Sequence, residues 1–487
     1  MNRERIKREF ACWFKPVAAS VLAGALGGCA LSKPPAHSQL IDDALPSGTT
    51  IPSNWSSTTR TNLVANDWLR SFNDPQLQII VAQAITNNLD LREAAARVEI
   101  ARQKVTIVNA KLKPRVGAVL GVAGTKDEHH DDWFQSNSEY LGIAWEPDVW
   151  GRVRSERSAA ESSYEATALD YAFARQSLAA TVAKSWYLAI EARQLVALSR
   201  QSVSIYSNLL ALVKIRRTAG KVTDLDVAEA SANLNAAQSQ LRHIEEVFCE
   251  CQRNLEVLLG RYPAAELKVA EAYVPLPPPI DAGLPSNLLI RRPDLMAAEL
   301  EVRKAFRLKE AARLALLPSF SFNLNAGQLS DNLLSLLQLN PWMLHTSLGM
   351  YVPIYEGGAL RARIRVATAR QQAAIATYGN AALIAFREVE NGLTIERLQG
   401  ERFRFQQDEL KNRTEAVRLA NLQYKAGAID LLSLLQLQED QIATQRALIR
   451  LQNSQLANRI NLHLTLGGVF DQPESFSSLV VQPTALK

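Results

Sequence analysis

The chain is poor in the residues that build compact reactive chemistry. It has only 4 cysteines and 6 histidines in 487 residues. Cys12 falls within the leader and Cys29 directly follows it, which leaves Cys249 and Cys251. Those two lie two positions apart on an expected helix and face different sides, so they read as unpaired thiols with no disulfide or metal role. His37, His243, His345 and His463 share no ligand spacing, and His129-His130 among Asp127, Glu128, Asp131 and Asp132 reads as a polar surface loop. No glycine-rich nucleotide loop, zinc-protease helix or close catalytic triad occurs. Neither catalytic residues nor a metal or cofactor site is therefore expected. The formal charge of +5 is also deceptive: residues 1–28 hold five basic and two acidic side chains, so their removal leaves +5 − 3 = +2. That small excess gives no reason to expect nucleic acid as a partner.

What is present is said nearly twice. Asp90-Leu91 leads through a helical stretch to Pro114, and Asp294-Leu295 leads through a similar one to Pro318, both at an offset of 204. Pro147 answers to Pro353 at 206, and Ala219-Gly220 answers to Ala426-Gly427 at 207. Periodicity alone does not reproduce breakers at one long spacing, so the chain reads as an internal duplication. Past residue 28 there remain 487 − 28 = 459 residues, enough for a large core or two domains.

Each copy carries two short alternating segments. Val116, Ala118, Leu120 and Val122 share one face of a first strand, against Arg115, Gly117, Val119 and Gly121. Leu141, Ile143 and Trp145 share a face of a second. Phe320, Phe322 and Leu324 alternate with Ser321, Asn323 and Asn325; Leu344, Thr346, Leu348, Met350 and Val352 alternate with His345, Ser347, Gly349, Tyr351 and Pro353. Such lengths approach the roughly 9–11 residues of a tilted transmembrane strand. Trp145, Trp150, Trp342, Tyr351 and Tyr355 are candidate interface anchors. Two soluble hairpins in a sandwich fit the same alternation. Four strands cannot close a barrel, and an open edge in hydrocarbon leaves backbone groups unpaired, so several chains must share one barrel. A trimer supplies 4 × 3 = 12.

Behind each strand pair runs a very long helix. Val153 to Thr218 is 66 residues without proline or glycine, and Arg361 to Lys425 is 65 without proline. At about 1.5 Å per residue each reaches roughly 100 Å. Ala159, Ala160, Ala166, Ala168, Ala172, Ala174, Ala179, Ala180 and Ala183 permit close coiled packing in the first. Both runs reverse at a glycine, Gly220 and Gly427, and new amphipathic helices follow from Leu225 toward Leu259 and from Leu431 toward Leu466. The turns make two hairpin tips, expected far from the strands.

These residues resemble the bacterial outer-membrane efflux protein family, particularly its lipoprotein branch serving resistance-nodulation-division pumps. Ile290-Arg291-Arg292-Pro293-Asp294-Leu295 matches a signature of the second half, and Pro353-Ile354-Tyr355-Glu356-Gly357-Gly358 with Arg361 matches the strand-to-helix junction. Tyr424, Ala426-Gly427 and Leu431 match the second hairpin, and Leu466-Gly467-Gly468 resembles the C-terminal helix ending. The start of the chain fits as well. Arg3, Arg5, Lys7, Arg8 and Lys15 precede an apolar or small run from Pro16 to Gly28, as in an export signal. Leu26-Gly27-Gly28-Cys29 resembles a lipoprotein processing site, which implies a covalent lipid on Cys29. Ala30, where an aspartate is linked to inner-membrane retention, favours the outer membrane. An ordinary signal with an incidental cysteine is the alternative.

The resemblance implies a trimeric 12-stranded outer-membrane β-barrel continuous with a long periplasmic 12-helix α-barrel, with four strands per protomer. It implies a signal peptide over 1–28, a tether and equatorial segment over 29–76, and a first repeat over 77–261 with strands about 115–123 and 138–148 and a tip about 218–225. An equatorial crossover over 262–289 follows, then a second repeat over 290–470 with strands about 319–327 and 344–353 and a tip about 425–431, and a tail over 471–487. Barrel-to-helix junctions fall at Pro147, Gly151, Pro353, Gly357 and Gly358. Implied partners are a periplasmic adaptor, an inner-membrane pump that supplies the energy, and outer-membrane lipid. A type I protein-secretion duct, a free-standing trimeric porin and a periplasmic coiled-coil protein each fit part of the pattern. Candidate gate residues are Arg216, Arg217, Asp224 and Asp226 at the first tip and Tyr424, Lys425, Asp430, Ser433 and Gln436 at the second, each of which also fits an ordinary helix cap. Ser433 and Gln436 stand where many relatives carry pore-facing aspartates. Glu229 occupies the position equivalent to Gln436, since 229 − 220 = 436 − 427 = 9.

Overall fold

Each half of the chain contains a helix, two strands and two longer helices in the same order. The structure, a computed structural model, describes residues 34–57, 62, 64, 66–127, 132–330 and 343–471, with side chains for all but 125–127, 132–136 and 328–330. The leader, Cys29, His129-His130, Trp342 and the tail after Asp471 lie outside the described residues. Helix α1 (His37–Ala44) is followed by α2 (Trp68–Ser71), α3 (Pro75–Asn87), α4 (Leu89–Ala110), β1 (Arg115–Asp127), β2 (Asp132–Trp145), α5 (Arg152–Thr218) and α6 (Asp224–Leu258). The second half runs α7 (Pro285–Arg291), α8 (Pro293–Leu314), β3 (Ser319–Ser330), β4 (Met343–Tyr351), α9 (Ala359–Ala426) and α10 (Leu431–Thr465). α4 and α8 each have 22 residues, α5 and α9 have 67 and 68, and α6 and α10 have 35 each.

Several boundaries differ from the sequence expectation, for identifiable reasons. The alternation places Pro353 inside the fourth strand and the bounds 138–148 place Pro147 inside the second, but those strands end at Tyr351 and Trp145. Proline has no N–H to give a ladder, so the pairing stops two residues before each one. The first hairpin is longer than its apolar alternation: β1 reaches Asp127 and β2 begins at Asp132, pairing Asp127 with Asp132. An antiparallel ladder holds by backbone bonds and needs no apolar alternation at its tip. Helix α3, which the alternation does not reveal, starts where the Asp74 carboxylate caps the Leu77 N–H at 3.1 Å with Pro75 behind it.

The chain forms two compact units: Met1–Thr49 with Ala96–Ala168 and Ala297–Ala381, and Thr50–Ala95 with Leu169–Met296 and Ala382–Lys487. Each draws on both halves of the sequence, so the repeats are not separate bodies. The first holds α1 and all four strands in one antiparallel sheet, order β1-β2-β3-β4. The second has its core around Trp186 and Tyr187 of α5, both fully buried. Trp68, Phe72, Leu77, Val269 and Phe470 share that core, so residues of the 29–76 segment and of the 262–289 crossover meet beside the end of the second repeat. Trp186 Nε1 donates to Asp74 at 2.9 Å, and His463 stacks on Trp68 with ring centroids 5.6 Å apart. After α6 the Glu256 carboxylate accepts from the backbone N–H groups of Ala265, Glu266 and Leu267 at 2.8, 2.8 and 3.0 Å, which fixes the crossover. Burial pushes its pKa up, but these bonds carry it below the ordinary value. Cys249 and Cys251 are free, half-buried thiols.

Candidate functional site: a one-sided sheet and two helical tips

Register decides what the sheet presents. Directly paired residues of antiparallel strands share a face. Val116 pairs with Ile143 and Ala118 with Leu141, Ile143 pairs with Leu324 and Trp145 with Phe322, and Phe322 pairs with Leu348 and Phe320 with Met350. The alternating apolar residues of all four strands therefore fall on one face. Arg115, Gly117, Gly142, Asn323, Asn325, Ser321, Ser347 and His345 fall on the other. Leu120 is 76% exposed and Leu348 77%. An apolar face this open is a membrane or partner surface. Among the described residues β1 and β4 each have one unpaired edge.

The junctions to the long helices use two different devices. After β2, the Asp148 carboxylate accepts from Val153 N at 3.0 Å and Arg154 N at 2.9 Å, capping α5, while Gly151 takes φ 86. After β4, Gly357 and Gly358 both take positive φ, 58 and 85, conformations that favour glycine. Trp145 Nε1 donates to Leu112 O at 3.1 Å and Trp150 Nε1 to Pro318 O at 2.7 Å, so the tryptophans expected as anchors also tie the strand bases.

Both tips end in the same backbone motif. Gly220 (φ 67) and Lys221 donate to Arg217 O and Arg216 O at 3.0 and 2.9 Å, and Gly427 (φ 80) and Ala428 donate to Tyr424 O and Gln423 O at 3.0 and 2.9 Å. This 6→1, 5→2 pair closes a helix with a left-handed residue. The candidate gate side chains divide by task. Arg217 forks onto Asp224 at 2.6 and 2.8 Å across its own exposed turn. Asp226 answers Thr223 in a capping box and Asp430 caps Ser433 N at 2.8 Å. The Arg217 bond holds Asp224 below the usual carboxylate range, and the Thr223 and Ser433 bonds do so for Asp226 and Asp430. Lys425, Ser433 and Gln436 are exposed. Of the candidate gate side chains, Arg216 reaches across to the other hairpin: its Nη1 donates to Tyr424 O at 2.8 Å and its guanidinium lies 4.5 Å over the Tyr424 ring, beside a buried apolar cluster in which Val213 and Ala230 meet Tyr424 and Leu431. Tyr424 is 3% exposed, and its hydroxyl has no hydrogen-bond partner among the described residues.

The sequence signature around Arg292 proves to be a hub. Arg292 separates α7 from α8, is 5% exposed, and forks onto Asp294 at 3.1 and 2.8 Å. It also reaches Glu388 of α9 at 2.7 Å and Thr465 O of α10 at 3.4 Å. Gly467 lies so close that a Cβ would come within 3.1 Å of the Arg291 backbone. Two motifs about 170 residues apart thus meet. The Glu388 partner carries no local sequence signal, nor do the cap at Asp148 and the carbonyl of Tyr424.

The model of one family, "Outer membrane efflux protein", matches residues 80–261 and 284–468. The chain belongs to that family. Among its relatives, a pyoverdine export outer membrane protein of Pseudomonas putida is 31% identical over 86% of this chain and 92% of its own length. A toluene efflux pump outer membrane protein of Pseudomonas putida is 30% identical over 82% and 84%. A crystallised membrane protein from Pseudomonas aeruginosa superimposes with TM-score 0.82 at 26% identity, covering 93% of this chain and 100% of that one. The open state of the Neisseria gonorrhoeae MtrE outer membrane channel gives 0.76 at 26% identity, over 87% and 98%. This family member is an outer-membrane exit duct of a tripartite efflux system and not an enzyme.

Proposed function

We propose that three copies of the chain close one 12-stranded barrel in the outer membrane, continuous with a 12-helix periplasmic barrel that conducts small molecules passively. The observation that carries this is the open four-stranded sheet with one apolar face. Its two free edges would leave backbone groups unpaired in hydrocarbon, and strands from identical neighbours satisfy them. Internal duplication gives each protomer two hairpins, so three protomers form a ring of six tips. The tips meet a periplasmic adaptor and an inner-membrane resistance-nodulation-division pump, whose proton gradient drives transport. Closed and open tip arrangements are two states whose populations the partners shift. The Arg216 contact to Tyr424 and the apolar cluster that both hairpins share hold the two hairpins of one protomer together, and the exposed carboxylates at the tips repeat around the axis. Cys29 carries a lipid in the outer membrane. Relatives named for pyoverdine, toluene, solvent and antibiotic share the scaffold, so substrate choice lies with the pump.

Native mass spectrometry of the detergent-released protein tests the closure: three chains are expected, and a monomer or dimer contradicts it. A photo-crosslinker at Thr218 or Ala428 captures the adaptor in cells if the tips are the docking end. Capture from neither position favours a free-standing pore.

A further inference from the structure

Helix α1 lies in a seat that the second half carries and the first half lacks. Leu40 is 1% exposed and packs with Val302 of α8 and Tyr378 of α9. His37 Nδ1 lies 2.6 Å from one oxygen of Glu299, whose other oxygen accepts a 2.8 Å bond from Arg303. The closest contact is backbone: a Cβ on Gly379 would stand within 2.2 Å of Ala44 O. No other residue type fits there while α1 is in place. Glycine is otherwise disfavoured inside a helix, and Gly379 lies well within one.

Comparison of the two halves isolates the device. The long helices begin 359 − 152 = 207 apart, which sets Tyr378 against Tyr171 and Gly379 against Ala172. The shorter helices end 314 − 110 = 204 apart, which sets Val302 against Val98 and Glu299 against Ala95. The first half keeps the valine and the tyrosine but has neither the glycine nor the carboxylate.

We propose that α1 is a strap seated in a notch built into the second half alone, which holds the amino-terminal segment at a set place on the protein. Where Cys29 is lipidated, as proposed above, the strap also sets the reach of the lipid. Eight peptide steps separate Cys29 from His37, at most roughly 29 Å.

The test uses the full-length protein purified from membranes, with hydrogen exchange read on residues 37–44 and the intact mass read for the lipid. Gly379→Val should speed exchange of 37–44 at least tenfold while residues 385–395 keep their protection. Gly400→Ala, at a helical glycine with nothing within 4 Å of its Cβ position, should leave 37–44 unchanged. Leu40→Ala and Glu299→Gln, which add no bulk to the helix, should each speed it threefold or more. They carry the test if the valine disturbs residues 385–395. Unchanged exchange of 37–44 in these variants overturns the strap. Cys29→Ser should remove the lipid mass and keep α1 protected; loss of protection there means the lipid and not the notch holds α1. A wild-type chain without lipid but with a protected α1 would sink the Cys29 reading and leave the strap standing.

Discussion

Replacing Arg292 by methionine keeps much of the side-chain volume and removes the charge from the hub. Asp294 and Glu388, with 28% and 37% of their side-chain surfaces exposed, then lose the cation that both lean on. Burial alone would pull the Arg292 pKa down, yet its carboxylate partners raise it above the ordinary value, so the pair is held as ions. Breaking a fully buried ion pair costs about 3–5 kcal/mol, and the partial exposure of both carboxylates places this one near the lower end, at about 3. That is roughly a hundredfold in an opening equilibrium. Hydrogen exchange of a peptide spanning residues 288–300 reads it locally, without requiring reversible unfolding of a membrane protein. Arg292→Lys should fall between, because an ammonium lacks the fork that serves Asp294 while also reaching Glu388. Arg291→Met is the control: its side chain donates to Val64 O at 3.2 Å and serves no carboxylate in the hub, so it should change exchange tenfold or less. Equal effects at the two arginines, or less than a threefold change for Arg292→Met, would refute the hub.

Arg216→Ala removes the guanidinium from the Tyr424 carbonyl and ring, and should speed exchange of residues 424–428 about tenfold, corresponding to about 1.5 kcal/mol for a half-exposed charged hydrogen bond. Arg217→Ala should leave both tips as protected as in the parent, since its Asp224 pair is open to solvent. Burial, reinforced by the Arg459 charge, holds His463 down at about 3 from an ordinary 6.5. A depressed histidine contributes stability that is complete above 6.5 and is lost as pH falls toward 3. Denaturant titration should show the core around Trp186 weaker by about 2 kcal/mol at pH 5 than at pH 7, from about 1.4 kcal/mol per unit. His463→Phe should remove most of that slope, and a slope unchanged by the substitution would contradict it.

Much of this architecture is legible in the sequence because it rests on breakers and periods. Gly220 and Gly427 mark the turns, the proline- and glycine-free run from Val153 to Thr218 marks a long helix, and the alternation from Phe320 to Leu324 marks a strand. Those signals are local. The ends of β2 and β4 mislead because the expected strands run on through Pro147 and Pro353, which lack the N–H that a ladder requires. Gate residues are legible only as a cluster. Sequence places Arg216, Arg217, Asp224, Asp226 and Asp430 near the turns, but it does not distinguish a cap from a contact between hairpins. That division depends on where Tyr424 O lies, 208 residues from Arg216. The same holds for Arg292 with Glu388 and for the α1 seat, where Ala44, Glu299 and Gly379 meet only after the chain folds.

The central claim is that this chain is the exit of a pathway energised elsewhere. It is tested most directly by substrate retention in cells lacking this chain, lacking its neighbouring pump, or lacking both. Equal accumulation in all three strains is predicted, because an exit and its engine act in one series. Accumulation in the double deletion clearly above either single one, or no change in retention across a broad compound panel, would contradict it.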